Sequence, residues 1–251
     1  MMTREEKNYL ATYDASKYER PSVTVDMVIF TIDQDNDLNI LLIQRGDFPY
    51  KGRWALPGGF LNVGKEALDE AAARELKEET GVDQVFLSQL YTFGEIDRDP
   101  RTTVISVAYT ALVPKQKLSI TAGDDAKDAK LFKIRFDVDG ILFTNGQEVV
   151  TQKDLAFDHA KIIKTAITRL RGRVDYEMDA FELLQDKESF TISELRKIYE
   201  AIKNRPLDIP NFRKMFIRNY LDTGKAISCC QVTTEGRGKP AMLYRLKGEN
   251  E

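Results

Sequence analysis

The sequence predicts an α/β domain followed by a small domain of helices and a β-hairpin. Three observations carry that reading. Strand-like runs at residues 23–30, 38–43 and 104–109 stand beside one strong helix-forming run at 66–81. Beyond residue 190 the pattern changes to two amphipathic helices and two short β-rich runs. The charge balance changes as well. Residues 1–150 hold 18 basic and 25 acidic side chains, whereas residues 190–247 hold 12 and 5. The predicted division is 1–174 and 175–251.

Residues 23–30 and 38–43 are rich in β-branched and large aliphatic side chains, and the polar stretch 33–37 supplies the turn between them. A further strand is expected at 131–134, after the polar segment 123–126. Residues 157–170 carry an apolar stripe at helical spacing and are expected to close the first domain, with His159 near the helix start. The polar run 171–175 reads as a linker.

The helix at 66–81 bears the chemistry. Leu68, Ala71, Ala72 and Leu76 form its apolar stripe, and Gly81 sits where a C-cap belongs. Glu75, Glu78 and Glu79 stand at i, i+3 and i+4 and are expected to converge on the opposite face. Like charges at that spacing repel by a few tenths of a kcal/mol per pair, roughly. A hard divalent cation, Mg²⁺ or Mn²⁺, would offset that repulsion. The competing reading is a solvated acidic face, which is common in a chain that is 31% charged. Upstream, Gly58 and Gly59 permit a turn that lets a ligand approach the main chain.

In the second domain, residues 190–202 form an amphipathic helix that Thr191 or Ser193 would cap. Asp208 caps a second helix at 209–220, with Pro210 tolerated in its first turn. That helix turns Asn211, Arg213, Lys214 and Arg218 outward. Strands at 226–232 and 241–246 follow, with Arg237 and Lys239 at the hairpin tip. Helix, turn, basic helix and basic hairpin make a winged helix-turn-helix. Its expected partner is double-stranded DNA, with Asn211, Arg213 and Lys214 near base edges, and Arg237 and Lys239 on phosphates or in a minor groove. A dimerisation module of the same fold is the alternative.

Composition narrows the rest. No stretch approaches 18 apolar residues, so no membrane span is expected. The charged N-terminus lacks a signal-peptide core, and two adjacent cysteines, Cys229 and Cys230, suit a reducing compartment, so a cytoplasmic protein is expected. A single histidine argues against a His-rich zinc site or a Ser-His-Asp triad.

The run from Glu66 through Arg74, Glu75, Glu78, Glu79 and Gly81 to Val82 resembles the Nudix signature. The resemblance implies an α/β/α sandwich and metal-assisted hydrolysis of a nucleoside diphosphate. In that scheme Glu75 is metal ligand or base, Glu78 and Glu79 are metal ligands, and Arg74 holds the carboxylates. One position departs from the pattern. Six residues rather than five separate Gly59 from Glu66, with Lys65 as the insertion. Lys65 stands where it would shift Gly59, whose carbonyl joins the metal shell in the family. Weak or lost hydrolysis with retained diphosphate binding is therefore expected.

Arg98-Asp99-Pro100-Arg101 and the segment 122–126 look like the ADP-ribose branch of that family. By that likeness Gly58, Gly59, Arg98 and Arg101 border the ligand, with Arg45 and Arg53 as weaker candidates. Tyr18, Phe48 and Tyr50 are the aromatic faces available for a base. The tract 190–245 is similar to the C-terminal domain of NrtR-type transcription regulators. The expectation is a homodimeric DNA-binding regulator of NAD metabolism that senses ADP-ribose or a related nucleotide. The alternatives are a Mg²⁺-dependent ADP-ribose pyrophosphatase that dimerises through the winged helix, and a Nudix-type regulator of sugar use.

Overall fold

The computed structural model describes residues 2–83, 85–120, 126–232 and 241–248. Helix α1 (Arg4–Thr12) precedes β1 (Ser22–Ile32), β2 (Leu38–Arg45) and the short β3 (Trp54–Ala55) and β4 (Gly58–Phe60). Then come α2 (Leu68–Thr80), β5 (Phe86–Phe93), β6 (Val104–Leu112), β7 (Ala126–Asp137), β8 (Gly140–Thr144), β9 (Val149–Thr151) and α3 (His159–Arg173).

The strands form one mixed sheet in the order β5-β6-β1-β2-β7-β8-β9, with β3 beside β2 and β4 beside β1. β1 and β6 run parallel. Alternation along the central strand β1 explains the layering, because successive side chains leave opposite faces of a strand. Met27 and Ile29 pack with Ala71, Ala72 and Leu76 of α2. Val28 and Phe30 pack with Ile162, Ile163, Ala166, Ile167 and Leu170 of α3. The result is the expected α/β/α sandwich.

The second unit contains α4 (Asp179–Glu182), α5 (Ile192–Lys203), α6 (Ile209–Phe216) and the hairpin β10 (Ala226–Val232) and β11 (Ala241–Leu246). Thr191, rather than Ser193, caps α5 through a capping box with Glu194. The Asp208 side chain accepts from Asn211 N at 2.9 Å, as its position predicts. Phe190 and Tyr244 exchange backbone hydrogen bonds of 2.9 and 2.8 Å, which ties the hairpin to the start of α5. Phe181, Phe190, Phe216, Tyr220 and Tyr244 fill the space between them. This core is continuous with the α3 side of the sandwich.

Two local expectations are corrected. The helix expected over 209–220 is α-helical only to Phe216 and continues as one π-helical turn, Ile217–Leu221. Tyr220 is thereby turned inward, where its hydroxyl meets that of Tyr199 at 2.7 Å. The run 171–175 is also not a loop at its start. Arg171, Gly172 and Arg173 belong to α3, because its apolar stripe continues through Leu170 to the buried Val174. Among the described residues, no helix is long and apolar enough to cross a membrane.

Candidate ligand pocket and nucleic-acid interface

The glycine turn and the acidic helix meet as anticipated. Gly58 pairs with Asp26, and Gly59 with Val25, where β4 lies against β1. Gly58 has φ +158, and a Cβ there would lie 2.3 Å from the Val25 carbonyl. At Gly59 an added Cβ would lie 2.2 Å from Glu75 Oε1, so only glycine leaves that carboxylate its position.

Lys65 does not displace this contact. The extra residue is taken up in a turn closed by Lys65 N to Asn62 O at 3.0 Å, with Gly64 at φ +75. Glu66 therefore sits before the helix rather than in it. It accepts Arg74 Nε and Nη2, each at 3.0 Å, and Asn62 N at 2.9 Å. These donors hold Glu66 down to about 2, the Arg74 bond being the largest cause.

Arg74 also donates to Glu75 at 2.7 Å and Glu78 at 3.2 Å. Glu75 and Glu79 are buried and Glu78 is exposed. Burial raises the Glu75 pKa against the pull of Arg74. The three helix glutamates do not converge as tightly as their spacing suggested. The one group of three carboxylates within 4.8 Å, among the described residues, is Asp33, Asp35 and Asp37. Lys133 Nζ lies 3.2, 2.6 and 3.1 Å from them and Arg135 adds two bonds to Asp37, so their charge is answered by protein cations. The helix set fits a hard divalent ion better. It offers oxygen donors, includes a carboxylate whose charge burial disfavours even beside Arg74, and faces a cradle that a side chain at residue 59 would fill.

Beside Gly58 and Gly59 a pocket opens between β1, β4 and the segments that carry Arg98 and Phe157. Arg98 is buried, with Nη2 at 2.8 Å from Asp158 and 3.2 Å from Asp26. Burial opposes its charge, but the two carboxylates hold its pKa above the ordinary value. Asp26 also receives the Ser106 hydroxyl. Arg101 is half-exposed, held by Asp99 at 2.8 Å, and lies over Phe60 at 5.3 Å and Phe157 at 5.9 Å. Arg45 lies 5.0 Å from the centre of the Phe157 ring. Arg53 is exposed, donates to the Lys153 carbonyl and stands outside this lining.

The aromatic rings that line the pocket are not the ones the sequence reading offered. Tyr18 and Phe48 are 60% and 80% exposed, and Tyr50 packs edge-on against Phe157 at 4.8 Å. Phe60 and Phe157 line the pocket. Phe60 directly follows the paired glycines, which was a usable signal. Phe157, about a hundred residues downstream, offered none. His159, beside it, is buried at the start of α3 and accepts Leu56 N on Nδ1 at 2.8 Å. Its ring therefore fixes the peptide that enters the glycine turn, and burial pushes its pKa down.

In the second unit Phe212 and Phe216 point into the core, and this leaves Asn211, Arg213, Lys214 and Arg218 exposed along one side of α6 and its π-turn. Arg237 and Lys239 lie outside the described residues, as does the segment 122–125.

Comparison with known proteins agrees with this division of labour. The NUDIX domain family matches residues 21–160, and the NrtR DNA-binding winged helix domain matches residues 180–246. The "ADPR responsive transcriptional repressor NtrR" of Acinetobacter baylyi is 35% identical over 96% of this chain and 88% of its own length. A MutT/nudix family protein from Enterococcus faecalis has a similar structure, with TM-score 0.76 and 31% identity, over 98% of this chain and all of that one. Shewanella oneidensis NrtR complexed with a 27mer DNA gives TM-score 0.68 and 32% identity over 90% of this chain and 93% of that one. The NUDIX domain of that protein complexed with ADP ribose matches 67% of this chain and 99% of its own, with TM-score 0.53 and 34% identity. The chain belongs to the Nudix family, in the branch that carries an NrtR-type winged helix after the Nudix domain.

Proposed function

We propose that the chain is an ADP-ribose-responsive transcriptional repressor that acts on genes of NAD metabolism. One observation carries the reading. A pocket with a buried arginine, a half-exposed arginine and two aromatic rings shares a chain with an exposed basic helix of winged-helix type. Arg98 and Arg101 supply charge for a diphosphate, and the glycine turn lets it approach the backbone. Phe60 and Phe157 supply faces for a base. Glu75, Glu78 and Glu79, steadied by Arg74, would hold Mg²⁺ or Mn²⁺ against the diphosphate. Asn211, Arg213 and Lys214 are assigned to base edges, Arg218 to the phosphate backbone, and Arg237 and Lys239 to phosphates or a minor groove. A homodimer would match a palindromic operator in the cytoplasm. The A. baylyi repressor's response to ADP-ribose and the Shewanella structures with DNA and ADP-ribose support the assignment.

The test is titration of ADP-ribose into the chain bound to an operator duplex selected in vitro by the chain itself. Release or tightening by ADP-ribose, and not by AMP or ribose 5-phosphate, is expected. Indifference to ADP-ribose would overturn the proposal.

Hydrolysis of the same ligand is a second reading, favoured by the undisturbed approach of Gly59 to Glu75 despite Lys65. When bound, a divalent ion polarises phosphoryl oxygens and supplies hydroxide near neutral pH. ADP-ribose turnover that disappears in Glu78→Gln would establish it.

A further inference from the structure

The pocket and the winged helix are joined by α3, and the two ends of that helix are held in unusual ways. At the pocket end, Phe157 has φ +51, a backbone region that costs energy for an aromatic residue. Asp158 occupies the N-cap position but makes no cap hydrogen bond. Its carboxylate instead takes Arg98 Nε at 3.2 Å and Nη2 at 2.8 Å. The helix start is therefore fastened to a pocket wall rather than to its own backbone.

The other end meets the second unit. Arg171 Nε donates to the Ile202 carbonyl, at the last turn of α5, at 2.9 Å. The same guanidinium lies 4.1 Å from the centre of the Phe136 ring in β7. One side chain thus touches the sheet, the long helix and the helix-turn-helix. Its Nη2 is buried without a hydrogen bond, as is Nε of Arg173 one turn-half away. Burial lowers the Arg171 pKa, in keeping with the incomplete set of partners. An unsatisfied buried donor favours any rearrangement that gives it an acceptor. Nearby, Lys203 pairs with Asp175 at 2.5 Å, and Arg173 with Asp179 at 3.3 Å, across the same joint.

Between these ends α3 has 15 residues, about 22 Å of straight helix at 1.5 Å per residue. Ile162, Ile163, Ala166, Ile167 and Leu170 press it onto the sheet. A packed helix of this kind shifts as a unit rather than bending locally.

We propose that Arg171 is the positioning residue through which an occupied pocket reorients the winged helix. A ligand diphosphate that engages Arg98 competes with Asp158 for the guanidinium. A base against Phe157 bears on the strained residue just before α3. Both act on the helix start, and α3 carries the displacement to Arg171, whose bonds to Ile202 and Phe136 set the angle between α5 and the sheet. The inference rests on the ADP-ribose-responsive reading above.

The test measures coupling rather than binding alone. Operator affinity is determined with and without saturating ADP-ribose, and ADP-ribose affinity with and without operator, for the wild type, Arg171→Ala and Phe136→Leu. Wild-type coupling of about tenfold is expected, falling to about twofold or less in Arg171→Ala while each separate affinity stays within about threefold. Phe136→Leu, which spares the Ile202 bond, is expected to show an intermediate loss. If Arg171→Ala unfolds, Phe136→Leu alone decides. Full coupling in the variants, with coupling present in the wild type, would overturn the role of Arg171 and leave the repressor reading standing. A wild type with no coupling would overturn both.

Discussion

Gly59 stands against Glu75 so closely that an added methyl group would lie 2.2 Å from Oε1. Gly59→Ala must therefore move either the turn or the carboxylate. We expect Mg²⁺-dependent ADP-ribose binding to weaken by roughly tenfold, the lower end of what disturbed support of a metal ligand costs. Calorimetric titration with Mg²⁺ and then with EDTA checks it, and the metal-free affinity should change little.

Arg98 is the second point of attack. Its side chain is 4% exposed and shared between Asp26 and Asp158. Arg98→Ala leaves the buried Asp26 and the half-buried Asp158 without their cation, an effect of about 3 kcal/mol for the broken buried pair. Urea unfolding should report that loss. Asp26→Asn with Arg98→Met should recover part of it, since it removes the buried uncompensated charge of Asp26 and leaves only that of Asp158.

His159 predicts a pH dependence. Burial depresses its pKa below the ordinary 6.5, and Nδ1 is already an acceptor for Leu56 N. The folded state thus favours the neutral ring. The stability tied to it is present above pH 6.5 and is lost as pH falls through that value toward the lower folded-state pKa. Melting temperatures taken from pH 7.5 down to 5.5 should fall for the wild type. The fall should be shallower in His159→Gln, which cannot take the charge.

On the DNA side, Arg218→Ala should weaken operator binding and lower the slope of log K against log salt by about 0.9, one phosphate's worth. Asn211→Ala should instead cost sequence discrimination, about 1–3 kcal/mol at one base position, with the salt slope preserved. A salt series on operator and scrambled duplexes separates the two.

Local features were readable before the fold was known. The α2 stripe, the left-handed Gly81 at its end, the Asp208 cap and both hairpin strands follow from spacing and residue type. Contacts across long stretches of chain were not. Arg98 is legible as a ligand-bordering candidate, but its pairing with Asp158, sixty residues on, is not, since neither residue carries a periodic mark. Phe157 looks like the first apolar position of a helix, whereas its left-handed backbone turns it into the pocket wall. The 171–175 run misleads for the opposite reason. Its charges resemble a linker because Arg171 finds its ring and its carbonyl only after the two units pack together.

The turn that absorbs Lys65 has a consequence for kinship. What the acidic helix requires upstream is that Glu66 arrive at the Arg74 fork, and the Asn62–Lys65 turn shows that this can be met with a longer lead-in. In this chain the lead-in is thus one residue longer while the fork still closes. A pattern that counts residues from Gly59 will pass over chains built like this one. A pattern that asks for the arginine fork and its glutamate accepts this one.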